Sequence, residues 1–175
     1  MESIQLDSNG NSKICDFKTC IDYKERSKSG NVYKNGTTND TFKNLKDLEY
    51  RTPENVDFNK SMGFIEHSSD FWALGISMFK MLSGFFPFLS KQSIINDEVP
   101  DLQRPETSKE AKEFIKILLE KNQFKRIGSR KNPINVKSIP FFKDINWESL
   151  EKGEVEPPFK QISLVKNIFY KLYFT

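Results

Sequence analysis

The run Ser68-Ser69-Asp70-Phe71-Trp72-Ala73-Leu74-Gly75-Ile76-Ser77-Met78-Phe79-Lys80-Met81-Leu82-Ser83-Gly84 restricts the fold more than any other part of the chain. A Ser or Asp at its start predicts a helix cap, and Gly84 predicts the stop, because glycine takes the left-handed terminal conformation without a β-carbon penalty. Between those ends the run is apolar on nearly every face. A helix of that kind has to be covered on all sides, and this one is too short and too interrupted to span a membrane. The sequence therefore predicts the central rod of a helical domain, with Trp72, Phe79 and Met81 as core residues.

The flanking segments are consistent with such a domain. Residues 4–17 read as two short strands around Ser8-Asn9-Gly10-Asn11, since Asn and Gly accept the positive φ of a tight hairpin. Residues 21–47 are rich in Lys, Ser, Asn, Gly and Thr without periodicity and predict a long mobile loop. Phe85-Phe86-Pro87-Phe88 is an extended exit, followed by a short helix between Ser90 and Asn96. Thr107 or Ser108, with Glu110, opens a helix from Lys109 to Lys121, whose apolar Ala111, Phe114, Ile115, Leu118 and Leu119 recur at helical spacing. A polar connection over 122–135, a short helix over 136–142 and a helical turn at Trp147–Leu150 come next; from Pro157 the chain is extended into an aromatic tail.

Composition narrows the function classes. The 175 residues fit one domain, and a net charge of +3 with Lys and Glu interleaved lacks the concentrated basic stripe of a nucleic-acid partner. Cys15 and Cys20 are too far apart for a CxxC pair, and with His67 the only histidine they complete no metal set, so they read as reduced thiols. With no signal-peptide pattern and no apolar run of about 18 residues, the expectation is an intracellular protein, cytoplasmic or nuclear, without a membrane span.

From Asp16 a series of motifs runs in order. Asp16-Phe17-Lys18 follows the hairpin; Thr52-Pro53-Glu54 follows Tyr50; Asp70-Phe71-Trp72-Ala73-Leu74-Gly75 opens the central helix. Lys125-Arg126-Ile127-Gly128-Ser129, then Pro140-Phe141-Phe142-Lys143-Asp144-Ile145-Asn146-Trp147-Glu148, then Glu154-Val155-Glu156-Pro157-Pro158-Phe159 complete it. This series resembles the Asp-Phe-Gly, Ala-Pro-Glu, Asp-x-Trp-x-x-Gly and Lys-Arg-Leu-Gly-Ser motifs and tail entry of AGC-group Ser/Thr protein kinases. Ser93-Ile94-Ile95-Asn96-Asp97-Glu98-Val99 is similar to a stretch of the protein-kinase-C-related (PKN-like) branch.

The resemblance implies a mainly α fold: the C-terminal (large) lobe of a protein kinase, with a short N-terminal β-hairpin and no N-lobe sheet. Residues 1–159 would be a partial kinase domain starting at the end of the catalytic loop, with the activation segment at 16–54, and residues 160–175 a truncated AGC-type tail. It makes Asp16 the candidate Mg²⁺ ligand. Glu54 and Arg126 match a buried ion pair that anchors the activation segment. Asp70 matches the residue that holds the catalytic loop's backbone, or serves only as an N-cap. Thr41 is the candidate remnant of the activation-loop phosphosite, although counting back from Glu54 puts Lys43 there.

Several positions depart from the family. Lys18 replaces a glycine whose backbone angles a β-carbon penalises by ~1 kcal/mol or more, and brings a positive charge beside the metal position. Ser3 stands where the family has the Asn that holds a second Mg²⁺, and Asp47 where it has a substrate-contacting Thr. The catalytic-loop Asp, the glycine-rich loop, and the strand Lys with its helix Glu would lie before Met1.

Three readings follow. The leading one is a Ser/Thr-kinase-like protein that is a catalytically inactive remnant or pseudokinase, with no catalytic residue and no cofactor expected for this chain alone; ATP and Mg²⁺ enter only through the family. The second is part of an active kinase whose N-lobe and catalytic loop are encoded elsewhere. The third is a non-enzymatic interaction module. If ~500 Å² of apolar surface is bare, ~25 cal/mol/Å² forgoes up to ~12 kcal/mol, so the expectation is a marginal monomer that needs a protein partner's surface, or a fragment of a longer product.

Overall fold

A computed structural model of the chain describes residues 3–17, 45–57, 67–129, 132–133 and 135–158. Two compact units emerge, one of residues 1–22 with 145–175 and the other of residues 23–144. Most of the expected loop (21–44), Lys18, Cys20, Thr41 and the tail from residue 159 lie outside the described residues. Residues 45–47, expected at the loop's end, instead begin a 3-10 helix, Leu45–Tyr50.

In the first unit β1 (Ile4–Leu6) and β2 (Ser12–Ile14) pair antiparallel, with Ile4 opposite Ile14 and Leu6 opposite Ser12. The expected turn is there, with Gly10 at φ 90. Its organiser is a residue that turn chemistry alone did not single out. Asp7 Oδ1 accepts the backbone N–H groups of Asn9 and Asn11, each at 2.9 Å. Those bonds, Asn11's first, hold the Asp7 carboxyl below its ordinary range.

In the second unit α1 (Pro53–Val56) starts on a proline, whose fixed φ suits the first helical position and whose missing N–H is not needed there. The expected central rod is α2 (Ser68–Ser83), ended by Gly84 at φ 89. Its start differs from expectation. His67, already at helical angles, precedes it without a side-chain cap, and the buried Ser68 hydroxyl donates to the Gln123 carbonyl at 3.3 Å. Ser68 is thus spent on tertiary contact instead of capping.

Trp72, Ile76 and Phe79 of α2 are fully buried, in one cluster with Phe88, Ile94, Leu102, Ile115 and Leu119. Met81 corrects the expected core: it is 56% exposed, and Leu74 is 40% exposed. Asp70, Leu74 and Met81 share one face of the helix, and among the described residues that face is left exposed.

The short helix is α3 (Lys91–Asn96), closed at its start by reciprocal Ser90–Ser93 capping. It is followed by α4 (Lys109–Leu118), where the Ser108 hydroxyl accepts the Ala111 N–H at 3.1 Å. This helix ends at Leu118, short of the expected Lys121. It packs closely on α2 at Gly75, where a β-carbon would lie 2.8 Å from Leu118 Cβ. Phe114, Leu118, Ile127 and Ile139 form a second cluster. The helix expected over 136–142 is two 3-10 turns, Val136–Ser138 and Pro140–Phe142, because Ile139 is extended and Pro140 has no N–H to continue a ladder.

Back in the first unit, α5 (Trp147–Glu151) is capped by the Asn146 side chain, which accepts the Ser149 N–H at 3.1 Å. Among the described residues the architecture is mainly α with a single two-stranded sheet, the fold class the sequence implied. No helix there is long and apolar enough to cross a membrane.

Candidate functional site

The most completely built polar site joins α1 to the turn after α4. Arg126 Nη1 donates to Glu54 Oε1 at 2.8 Å and Nη2 to Oε2 at 2.9 Å, with both side chains buried. A guanidinium carries five N–H donors in a rigid fork, and an unmade bond in a dry site is expensive. Here the remaining donors face the carbonyls of Glu120 (from Nε, 2.7 Å), Lys121 (from Nη2, 3.3 Å) and, at the limit of a hydrogen bond, Ser68 (from Nη1, 3.5 Å). The Arg126 guanidinium carbon also lies 5.0 Å from the centre of the Trp72 ring. Glu54 and Arg126, paired in sequence only by motif, are therefore brought together. Beside Glu54, the buried Thr52 hydroxyl has no hydrogen-bond partner among the described residues, nor has Trp72 Nε1.

Lys121 was not singled out by sequence. Its Nζ donates to the carbonyls of Ile94 (2.6 Å) and Ser93 (3.3 Å) and sits 3.6 Å above the Phe88 ring and 5.3 Å from the Trp72 ring. Burial pulls its pKa down to about 8; Asp97 pushes the other way and Arg126 adds to the fall. Backbone carbonyls have no residue signature, so nothing in the motif pattern pointed to this lysine.

Asp16, the candidate metal ligand, lies in the other unit. It is the one non-glycine at positive φ among the described residues, at 62. A left-handed aspartate costs less than most residues would, because its short polar side chain can bond locally, but the conformation is still strained. Lys18, where the sequence foresaw strain, lies outside the described residues. The neighbouring Cys15 N–H donates to the Ser3 carbonyl at 2.8 Å, so the hairpin sets Ser3 one residue away from Asp16's level. Asp70 lies exposed in the first turn of α2, where its charge suits the helix dipole. Among the described residues no hydrogen bond or ion pair engages its carboxylate, so side-chain capping is not its role. Thr41 lies outside the described residues.

A nucleotide-bridging Mg²⁺ needs hard oxygen donors, commonly one or two carboxylates together with phosphates and water. Asp16 offers one carboxylate, and Ser3 offers a hydroxyl, a shorter and weaker ligand than an amide carbonyl. No group of three or more His, Cys, Asp or Glu side chains suited to a metal occurs among the described residues. The donor set fits the group poorly, and no chemical step is assigned through it.

Residues 1–142 match the protein kinase domain family. The chain is 35% identical over 164 residues to the serine/threonine-protein kinase sck1 of Schizosaccharomyces pombe, a match covering 91% of this chain and 22% of that protein. It is 34% identical over 172 residues to the protein kinase C epsilon type of Rattus norvegicus (91% and 21%), and 34% over 166 residues to the serine/threonine-protein kinase SCH9 of Saccharomyces cerevisiae (91% and 18%). The chain thus spans about a fifth of the length of these relatives. With the buried Glu54–Arg126 pair and the Trp72 helix, these similarities show that the chain belongs to the protein kinase domain family, in its AGC Ser/Thr group.

Proposed function

We propose that this chain is a Ser/Thr-kinase-like protein that keeps the structural anchor of its lobe and does not itself transfer phosphate. One contrast carries the reading. Every donor of Arg126 faces an acceptor around Glu54, whereas at the metal end Ser3 and Lys18 stand in place of the Asn and Gly of the family pattern. The role left to the lobe is to hold a shape, inside the cell, for a protein partner that covers the Leu74–Met81 face.

The test is a thermal-shift titration of the whole chain with ATP and Mg²⁺, alongside transfer of labelled γ-phosphate to a peptide. The expected result is no shift and no label. A robust shift abolished by Asp16→Asn would overturn the reading.

The left-handed Asp16 favours a second reading, part of an active kinase, because strained backbone tends to persist where a site uses it. An upstream reading frame encoding a His-Arg-Asp-type loop, with activity in the joined product, would establish that alternative.

A further inference from the structure

Helix α3 is six residues long, and its one fully buried side chain is Ile94. Isolated helices shorter than about 12 residues are marginal in water, so α3 must be held by tertiary contacts. Its start is closed within itself by Ser90 and Ser93. At its end the Ser93 carbonyl accepts the Asp97 N–H, and the Ile94 carbonyl lies in the last turn, where intrahelical donors run out. Lys121 reaches them from beyond α4, with Nζ at 2.6 Å from the Ile94 carbonyl and 3.3 Å from that of Ser93. The same ammonium lies over the Phe88 ring at 3.6 Å, adding a cation–π attraction that ties the helix end to the core.

We infer that Lys121 is a clasp that seats α3 on the core, and that removing its amine releases α3 while the rest of the unit stays folded. The charges around it make the clasp responsive. Asp97, just past α3, favours the cation; Arg126, in the turn after α4, opposes it, though Glu54 of α1 neutralises much of that by direct pairing. From α2 the contribution is the Trp72 ring at 5.3 Å. Burial in the seated arrangement lowers the Lys121 pKa, so a neutral amine sheds the desolvation cost of the cation and still donates to the two carbonyls. Release therefore follows loss of the amine and not loss of its charge.

Hydrogen exchange on the full chain tests this by comparing Ile94 and Asp97, whose N–H groups bond to the Ser90 and Ser93 carbonyls, with Leu119, which reports on α4. In Lys121→Met the α3 amides should exchange about tenfold faster relative to Leu119, as expected for losing charge-assisted bonds. Lys121→Arg, which keeps N–H donors there, should retain most of the protection. Should Lys121→Met fail to fold, the unaltered chain provides the same ratio: corrected for intrinsic rates, α3 protection should rise relative to α4 between about pH 7 and about pH 9.5, because the seated helix favours the neutral amine. An unchanged ratio, or equal acceleration at both sites, overturns the clasp.

Discussion

Glu54 and Arg126, 72 residues apart in sequence, meet through two nearly parallel hydrogen bonds of 2.8 and 2.9 Å in a buried site. The pair is a closed unit, since the carboxylate takes both arms of the fork and backbone carbonyls take the rest. Removing one partner leaves the other as an uncompensated buried charge. Glu54→Leu and Arg126→Met should each cost about 3–5 kcal/mol in urea denaturation. The double variant should cost less than the sum of the two, because no charge is then stranded. Strict additivity would show that the two side chains do not depend on each other.

Thr52 gives a prediction of opposite sign. Its Oγ1 is buried without a partner among the described residues, although the residue flanks the start of α1 in the manner of a cap. An unsatisfied buried hydroxyl costs roughly 1–3 kcal/mol, and valine has the same branched shape without it. Thr52→Val should raise stability by about 1 kcal/mol, read as a higher urea midpoint at unchanged slope. A lower midpoint would mean that the hydroxyl is engaged.

Two glycines separate packing from backbone strain. At Gly75 a β-carbon would lie 2.8 Å from both Leu118 Cβ and Leu119 Cδ2, at ordinary helical angles. Alanine gains up to about 1 kcal/mol in helix propensity, but overpacking typically costs 1–3 kcal/mol, roughly, so Gly75→Ala should destabilise. At Gly84 a β-carbon meets nothing within 4 Å, yet φ is +89. Gly84→Ala should cost about 1 kcal/mol from the left-handed conformation alone. Thermal denaturation of the two variants, with Leu119→Ala added to each, distinguishes the causes: the second change removes the Cδ2 and Cγ atoms beside the new methyl, so it should partly relieve Gly75→Ala and leave the Gly84 effect as it was.

Much of the fold was legible because its signals are local. Gly84 stops α2 and Ser108 starts α4 through chemistry confined to a few residues, and the apolar spacing of α4 matches its buried face. The Glu54–Arg126 pair was legible through motifs, since neither residue alone announces a partner 72 positions away. Met81 was misread because an apolar run shows that a helix is hydrophobic, not which of its faces finds a neighbour. Lys121 stayed hidden for the converse reason: its partners are carbonyls and rings brought close only by folding. Asp7 was hidden in the same way within a turn otherwise read correctly.

Lys121 also sets a pH dependence. Burial is the main cause that lowers its pKa from the ordinary 10.5 to about 8 in the folded chain. Below about pH 8 the lysine is charged in both the folded and unfolded states, and the folded state bears the whole desolvation cost. Between about 8 and 10.5 the unfolded chain holds a proton that the folded chain has released, so stability rises with pH across that window. Above it both forms are neutral and the cost is gone. Other lysines and the tyrosines titrate nearby, so the quantity to measure is the difference in unfolding free energy between the parent and Lys121→Met, followed across the window. That difference should move in the parent's favour as pH climbs, and the seating of α3 should tighten with it, because both equilibria turn on burial of the same ammonium. A difference that stays flat from about pH 7 to about pH 10.5 would mean that the ammonium is as well solvated in the folded chain as in the unfolded one.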